Sequence, residues 1–92
     1  MANSLENGLT EFEKMVSGLV YSPADEDLLR RRRKALSLVE EFNAYIPNDS
    51  EKAAEIARKL FGFFGDNNAI MAHFACDYGE NISIGSNCYI NY

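Results

Sequence analysis

Tyr78-Gly-Glu-Asn-Ile-Ser83, Ile84-Gly-Ser-Asn-Cys-Tyr89 and Ile90-Asn-Tyr92 form the stretch whose reading decides the fold. Set in rows of six, Tyr78, Ile84 and Ile90 share the first place. Gly79 and Gly85 share the second (Asn91 stands there in the third row), Asn81 and Asn87 the fourth, and Ile82 and Cys88 the fifth. A bulky apolar residue, a glycine and a polar turn residue at a fixed period of six mark a hexapeptide β-helix. Each short strand buries one side chain, and Gly or Asn tolerates the sharp corner that follows, often with φ > 0.

The residues upstream read as helices. Residues 1 to 8 are polar and read as a frayed lead. Leu9, Phe12, Met15 or Val16, and Leu19 recur at helical spacing and predict a short helix ending near Gly18. Leu19-Val-Tyr21 is then an apolar hinge closed by Ser22-Pro23. A second helix opens at Ala24-Asp-Glu-Asp27, where Glu26–Arg30 and Asp27–Arg31 have favourable spacing. Its buried stripe is Leu28, Ala35, Val39 and Phe42, with Leu29, Leu36 and Leu38 alongside. Asn43 to Ser50 reads as a loop, with Asn48 and Glu51 as a capping box for a third helix. Ala53, Ile56, Ala57, Leu60, Phe61 and Phe64 form that helix's inner face, Phe63 also reads as core, and Gly65-Asp-Asn-Asn68 reads as its stop. Ala69 to Cys76 leads into the repeats. The fold class is thus α+β: a small domain of about three helices over 9–68, then the start of a parallel β-helix over 69–92.

From about Glu11 onward the chain resembles the maltose and galactoside O-acetyltransferases. The resemblance rests on Cys76-Asp-Tyr-Gly-Glu-Asn-Ile-Ser-Ile-Gly-Ser-Asn-Cys-Tyr-Ile-Asn-Tyr92, Met15-Val-Ser-Gly-Leu-Val-Tyr21, Asp25-Glu-Asp-Leu28 and Glu41-Phe-Asn43, in the family's order. It implies a left-handed β-helix, acetyl-CoA as acetyl donor, a sugar hydroxyl as acceptor, and active sites between subunits of a trimer. It also implies that Asp77, Tyr89 and Asn91 fall on positions lining the acceptor site. A carboxylate and an amide suit sugar hydroxyls, and an aromatic ring suits a sugar's apolar face. Corner duty in the coil is the competing reading for Asp77 and Asn91, and packing for Tyr89. In the family Glu-Pro-Pro usually stands where this chain has Met71-Ala-His73, which implies a looser lead-in here. An acidic residue also usually follows the position of Tyr21, where this chain has Ser22-Pro23.

Composition narrows the function. Of 92 residues, 47% are hydrophobic and 25% charged, as in an ordinary globular chain. A net charge of −5 argues against nucleic acid or an anionic membrane as partner. Arg30 to Lys34 are five consecutive cations, but amid acidic neighbours they read as solvated groups with stems over the core. No apolar run reaches a membrane span and no leader opens the chain, so a cytoplasmic location is expected. Cys76 and Cys88, two rows apart, would lie on different faces and read as small core residues rather than a disulfide.

Acetyl transfer needs a base for the attacking hydroxyl and donors for the developing oxyanion. The family's base is a histidine on a later coil. The one histidine here, His73, precedes the first row and does not match it, so no catalytic residue and no metal site are assigned. The chain reads as the N-terminal part of an acetyl-CoA-dependent sugar O-acetyltransferase, inactive alone. The alternative is a non-catalytic module that assembles through exposed strand edges.

Overall fold

The computed structural model describes residues 8–92; of the frayed lead expected for residues 1–8, residues 1–7 lie outside the described residues. Among the described residues three helices precede the strands: α1 (Glu11–Val16), α2 (Glu26–Tyr45) and α3 (Ser50–Leu60). Four two-residue strands follow, β1 (Phe63–Phe64), β2 (Ala69–Ile70), β3 (Ser83–Ile84) and β4 (Tyr89–Ile90), with a 3-10 turn at Gly79–Asn81. The chain forms two compact units, residues 1–31 and 32–92, and the boundary falls inside α2.

In the first unit, α1 is too short to persist on propensity alone and is held by its ends. Thr10 Oγ1 accepts the Glu13 N–H at 3.0 Å, and Glu13 Oε1 accepts the Thr10 N–H at 2.9 Å, a complete capping box. Glu11 pairs with Lys14 at 2.8 Å and accepts the Ser22 N–H at 2.7 Å. The hydrogen bond from Lys14, then that from Ser22, holds the Glu11 carboxyl below its usual value; the Thr10 N–H does the same for Glu13. Gly18 leaves the helix at φ 78°, as its position predicts. Asp25 caps α2, accepting the N–H groups of Asp27 and Leu28 at 3.1 and 3.2 Å. Asp27 holds Arg31 at 2.9 Å and also takes Arg30, which turns to it instead of to the expected Glu26. The Arg31 guanidinium lies 3.8 Å over the Phe12 ring.

In the second unit, Ala35, Val39 and Phe42 of α2 face Ala53, Ile56, Ala57 and Leu60 of α3 within one buried cluster that includes Phe61, Ile70 and Ile84. Leu36, expected beside the stripe, is 57% exposed, because one residue past Ala35 turns it off the inner face. α2 runs to Tyr45, three residues into the expected loop, and stops just before the residue that Pro47 keeps out of helix. The Tyr45 carbonyl then accepts the N–H groups of Asn48 and Asp49. That turn makes Asp49, not Asn48, the cap of α3: its Oδ1 accepts the Lys52 N–H at 3.0 Å.

Gly65–Asn68 does not stop α3. The helix ends at Leu60; Phe61 is already extended, at φ −87° and ψ 153°. Gly62 N–H donates to the Ile82 carbonyl at 3.0 Å, so a backbone group leaving the helix passes straight to the coil. β1 pairs parallel with β3, Phe63 opposite Ser83, and β2 parallel with β4, Ala69 opposite Tyr89. One turn of coil therefore takes 20 residues (63 to 83, 69 to 89). Three rows of six would take fewer; the excess is accommodated around the 3-10 turn Gly79–Asn81, so the row beginning at Tyr78 is not a plain hexad. Gly65–Asn68 is instead the corner between β1 and β2, stacked beneath Gly85–Cys88. Asn67 and Asn87 both take left-handed φ, 58° and 60°, and Asn67 Nδ2 donates to Asn87 Oδ1 at 2.7 Å. Asn68 Nδ2 donates to the Gly85 carbonyl while Asn68 Oδ1 accepts the Cys88 N–H. Inside the coil, Phe64, Ile70, Ile84 and Ile90 point inward; Phe63, expected in the core, is 59% exposed on the outer face of β1.

Two outcomes follow. A Cβ at Gly79 would lie 2.6 Å from Leu60 Cδ1 and 2.7 Å from the Leu60 carbonyl oxygen, whereas one at Gly85 meets nothing within 4 Å. Gly79→Ala is expected to lower stability by about 1–3 kcal/mol and Gly85→Ala to change it by less than about 0.5 kcal/mol, read from urea unfolding midpoints. The Glu11 and Glu13 carboxyls are depressed in the folded state. Their contribution is therefore complete above the usual carboxylate pKa of 4.5 and is lost as pH falls through the lower folded values. Cα chemical shifts of residues 11–16 should hold helical values above that pH and lose them below it, with a smaller loss in Glu13→Gln, which keeps an acceptor but does not titrate.

Candidate functional site

The strand alternation that turns Ile84 and Ile90 inward turns the neighbouring residues out. Tyr89 is 65% exposed beside its register partner Ala69, whose small side chain leaves the ring uncovered. Asn91, two residues on, is also exposed. Its Oδ1 accepts the Tyr92 N–H at 2.9 Å, so half of its amide is engaged locally and its Nδ2 remains available. Asp77 is exposed on the segment between β2 and the 3-10 turn. Tyr89 and Asn91 thus share one exposed run. Among the described residues, no hydrogen bond or ion pair joins Asp77 to either.

The segment that carries Asp77 has no strand partner of its own. It contains a cis peptide bond between Ala72 and His73. Asn43, in the last turn of α2, holds it: Asn43 Nδ2 donates to the Phe74 carbonyl at 2.8 Å, and the Phe74 N–H donates to Asn43 Oδ1 at 2.8 Å. Phe74 meets Phe42 edge-on at 6.2 Å between centroids and Phe61 at 5.4 Å, and Phe61 stacks on Phe64 at 5.6 Å. Sequence alone places Asn43 at the start of a loop; it lies instead in the last turn of α2. The available signal was an amide one residue after a buried phenylalanine, at the edge of the apolar stripe.

Nucleophilic chemistry from the thiols is unsupported by their setting. Burial, and then the charge of adjacent Asp77, push the Cys76 thiol up, which keeps it protonated at neutral pH. Both cysteines are free and half-buried against the core. His73 is exposed. Among the described residues no three His, Cys, Asp or Glu side chains gather as metal ligands. A recess of about 160 Å³ opens between α2, α3 and the β1–β2 corner, but its walls are mainly apolar, among them Phe42, Ile46 and Phe64, and none of Asp77, Tyr89 and Asn91 lines it. No helix among the described residues is long and apolar enough to cross a membrane.

Helices leading into parallel rungs with stacked Gly-x-Asn corners define the class of hexapeptide-repeat proteins built on a left-handed β-helix. The chain belongs to the maltose acetyltransferase family: residues 14–65 match its hexapeptide capping motif. It is 36% identical over 88 residues to a Dictyostelium discoideum protein that bears the name acetyltransferase, covering 96% of this chain and 45% of that protein. The structure of a maltose O-acetyltransferase from Clostridium difficile 630 superposes with a TM-score of 0.87 at 40% identity, covering 94% of this chain and 46% of that one. A galactoside acetyltransferase solved in complex with coenzyme A gives a TM-score of 0.80 at 28% identity, covering 91% and 42%. The chain therefore spans less than half the length of these relatives.

Asn43→Ala leaves the Phe74 N–H and carbonyl without their partner and is expected to cost about 1–3 kcal/mol. Asn43→Asp keeps the acceptor for the N–H but sets an oxygen against the Phe74 carbonyl, so it should also destabilise. Urea unfolding checks both, and loss of amide protection at Phe74 in each variant locates the effect.

Proposed function

We propose that this chain is the capping and acceptor-side portion of an acetyl-CoA-dependent sugar O-acetyltransferase. The observation that carries the reading is the outward run Tyr89–Asn91 on the second rung: an uncovered aromatic ring and a half-free amide, with the carboxylate of Asp77 exposed on the preceding segment. An aromatic face takes the apolar side of a sugar ring, and the amide and carboxylate take its hydroxyls. These residues bind and orient an acceptor; no proton transfer is assigned to them. His73 is given no role in the chemistry. The acetyl donor in this reading is acetyl-CoA, held with the catalytic base by coils of the kind that follow this stretch in longer relatives. The working assembly is a trimer in the cytoplasm, with the acceptor between subunits.

The test is an in-register fusion of residues 1–92 to the coils that follow the equivalent point in the Clostridium difficile maltose O-acetyltransferase. The fusion should transfer acetyl from acetyl-CoA to a sugar hydroxyl, and the 92-residue chain alone should not. Tyr89→Ala and Asp77→Ala should each raise the acceptor KM about tenfold, equivalent to roughly 1.4 kcal/mol, with the KM for acetyl-CoA unchanged. His73→Ala should leave both unchanged. An unaltered acceptor KM in both the Tyr89 and Asp77 variants would overturn the assignment.

A further inference from the structure

Away from the rungs, the second unit carries an open groove of about 500 Å³ lined by Lys34, Ser37 and Leu38 of α2 and Lys59 of α3. The chain has a net charge of −5, yet no acidic side chain lines this groove. Arg30 and Arg31 share Asp27, and Arg58 reaches Asp66 at 3.4 Å. Glu55, one turn before Lys59 and at the spacing that would pair with it, turns instead to Lys52 at 3.4 Å. Neither Lys34 nor Lys59 has an ion-pair partner among the described residues. Lys59 stands in the last turn of α3, where a cation answers the helix dipole; Lys34, in the middle of α2, has no such reason to be basic.

We propose that this groove binds a phosphate monoester, with Lys34 and Lys59 on its oxygens, the Ser37 hydroxyl as a third donor, and Leu38 under the organic part. Two ammonium groups from separate helices act as point charges and suit a tetrahedral anion with several acceptor oxygens; a planar carboxylate is better matched by a guanidinium fork. The half-buried Leu38 gives the floor an apolar strip, and the space exceeds that of the bare anion. The inference stands apart from the sugar site and does not need it.

The test is an NMR titration of the isotope-labelled 92-residue chain with inorganic phosphate, with phenyl phosphate and with benzoate, at an ionic strength held constant with sodium chloride. Saturable shifts confined to residues around Lys34, Ser37 and Lys59, larger affinity for phenyl phosphate than for phosphate, and at least tenfold weaker binding in Lys34→Gln/Lys59→Gln are expected. Both lysines are exposed, so the double variant should keep its circular dichroism spectrum. Absence of saturable shifts, equal binding of phenyl phosphate and benzoate, or unchanged affinity in the double variant would each overturn the proposal.

Discussion

Two hydrogen bonds from one amide fix where the helical part meets the coil. The run from Ala72 to Asp77 must cross from β2 towards the 3-10 turn without a ladder to satisfy its backbone, and Asn43 supplies both partners that Phe74 needs. Such bonds are each worth about 0.5–1.5 kcal/mol net, but leaving a half-buried donor and acceptor unmet costs more. The exposed pairs Lys52–Glu55 and Arg58–Asp66, at 3.4 Å each, contribute about 0–1 kcal/mol by comparison. The amide therefore outweighs the visible ion pairs. It acts together with Phe42, Phe61, Phe64 and Phe74, whose ring contacts join α2, the end of α3, β1 and the crossing segment.

From that junction the coil is built by handing backbone groups from one element to the next. The helix ends at Leu60, Gly62 donates to Ile82, Gly65 to Ile84, Ala69 to Cys88 and Met71 to Ile90. Such short strands have little stability by themselves; the corners supply the rest. At Gly65 an added Cβ would come within 2.4 Å of Ser86 Oγ and 2.6 Å of the Gly85 carbonyl, so the two corners stack only because a glycine stands there. The Asn67 and Asn68 side chains then fill the hydrogen-bonding needs of the rung above.

How much of this the sequence disclosed follows from what each residue signals locally. The inner face of α3 was legible because Ala53, Ile56, Ala57 and Leu60 repeat at helical spacing. The rungs were legible from Ile84 and Ile90. The first corner was not, because Gly65-Asp-Asn-Asn68 directly after an apolar helix has the same composition as a helix stop; only its match to Gly85-Ser-Asn-Cys88, with Asn at the third place of both, distinguishes it. Phe63 was misplaced for a related reason: among three phenylalanines, hydrophobicity does not say which one a two-residue strand turns outward. Asn43 was hidden because an amide's value lay in a partner 31 residues away. Of the candidate acceptor residues, exposure of Tyr89 was decided by register, since the inward setting of Ile90 leaves the preceding residue no choice.

The same register constrains what an outer surface on this coil can be. Phe64 and Ile84 pair inside β1–β3, and Ile70 and Ile90 inside β2–β4, so the core fixes every second residue and leaves the others free to vary. On the β1–β3 side the outward pair is Phe63 and Ser83; on the β2–β4 side it is Ala69 and Tyr89. Large sits beside small on both sides, so each ring stands uncovered by its neighbour, Phe63 59% and Tyr89 65% exposed. Packing within the chain accounts for neither exposure, since a buried aromatic ring would return the free energy of about 1.5–3 kcal/mol that these two forgo. The polar tip separates them. Tyr89 adds a hydroxyl and has Asn91 two residues on, which suits a ligand with both apolar and hydroxyl faces, whereas Phe63 stands beside a serine with no comparable cluster.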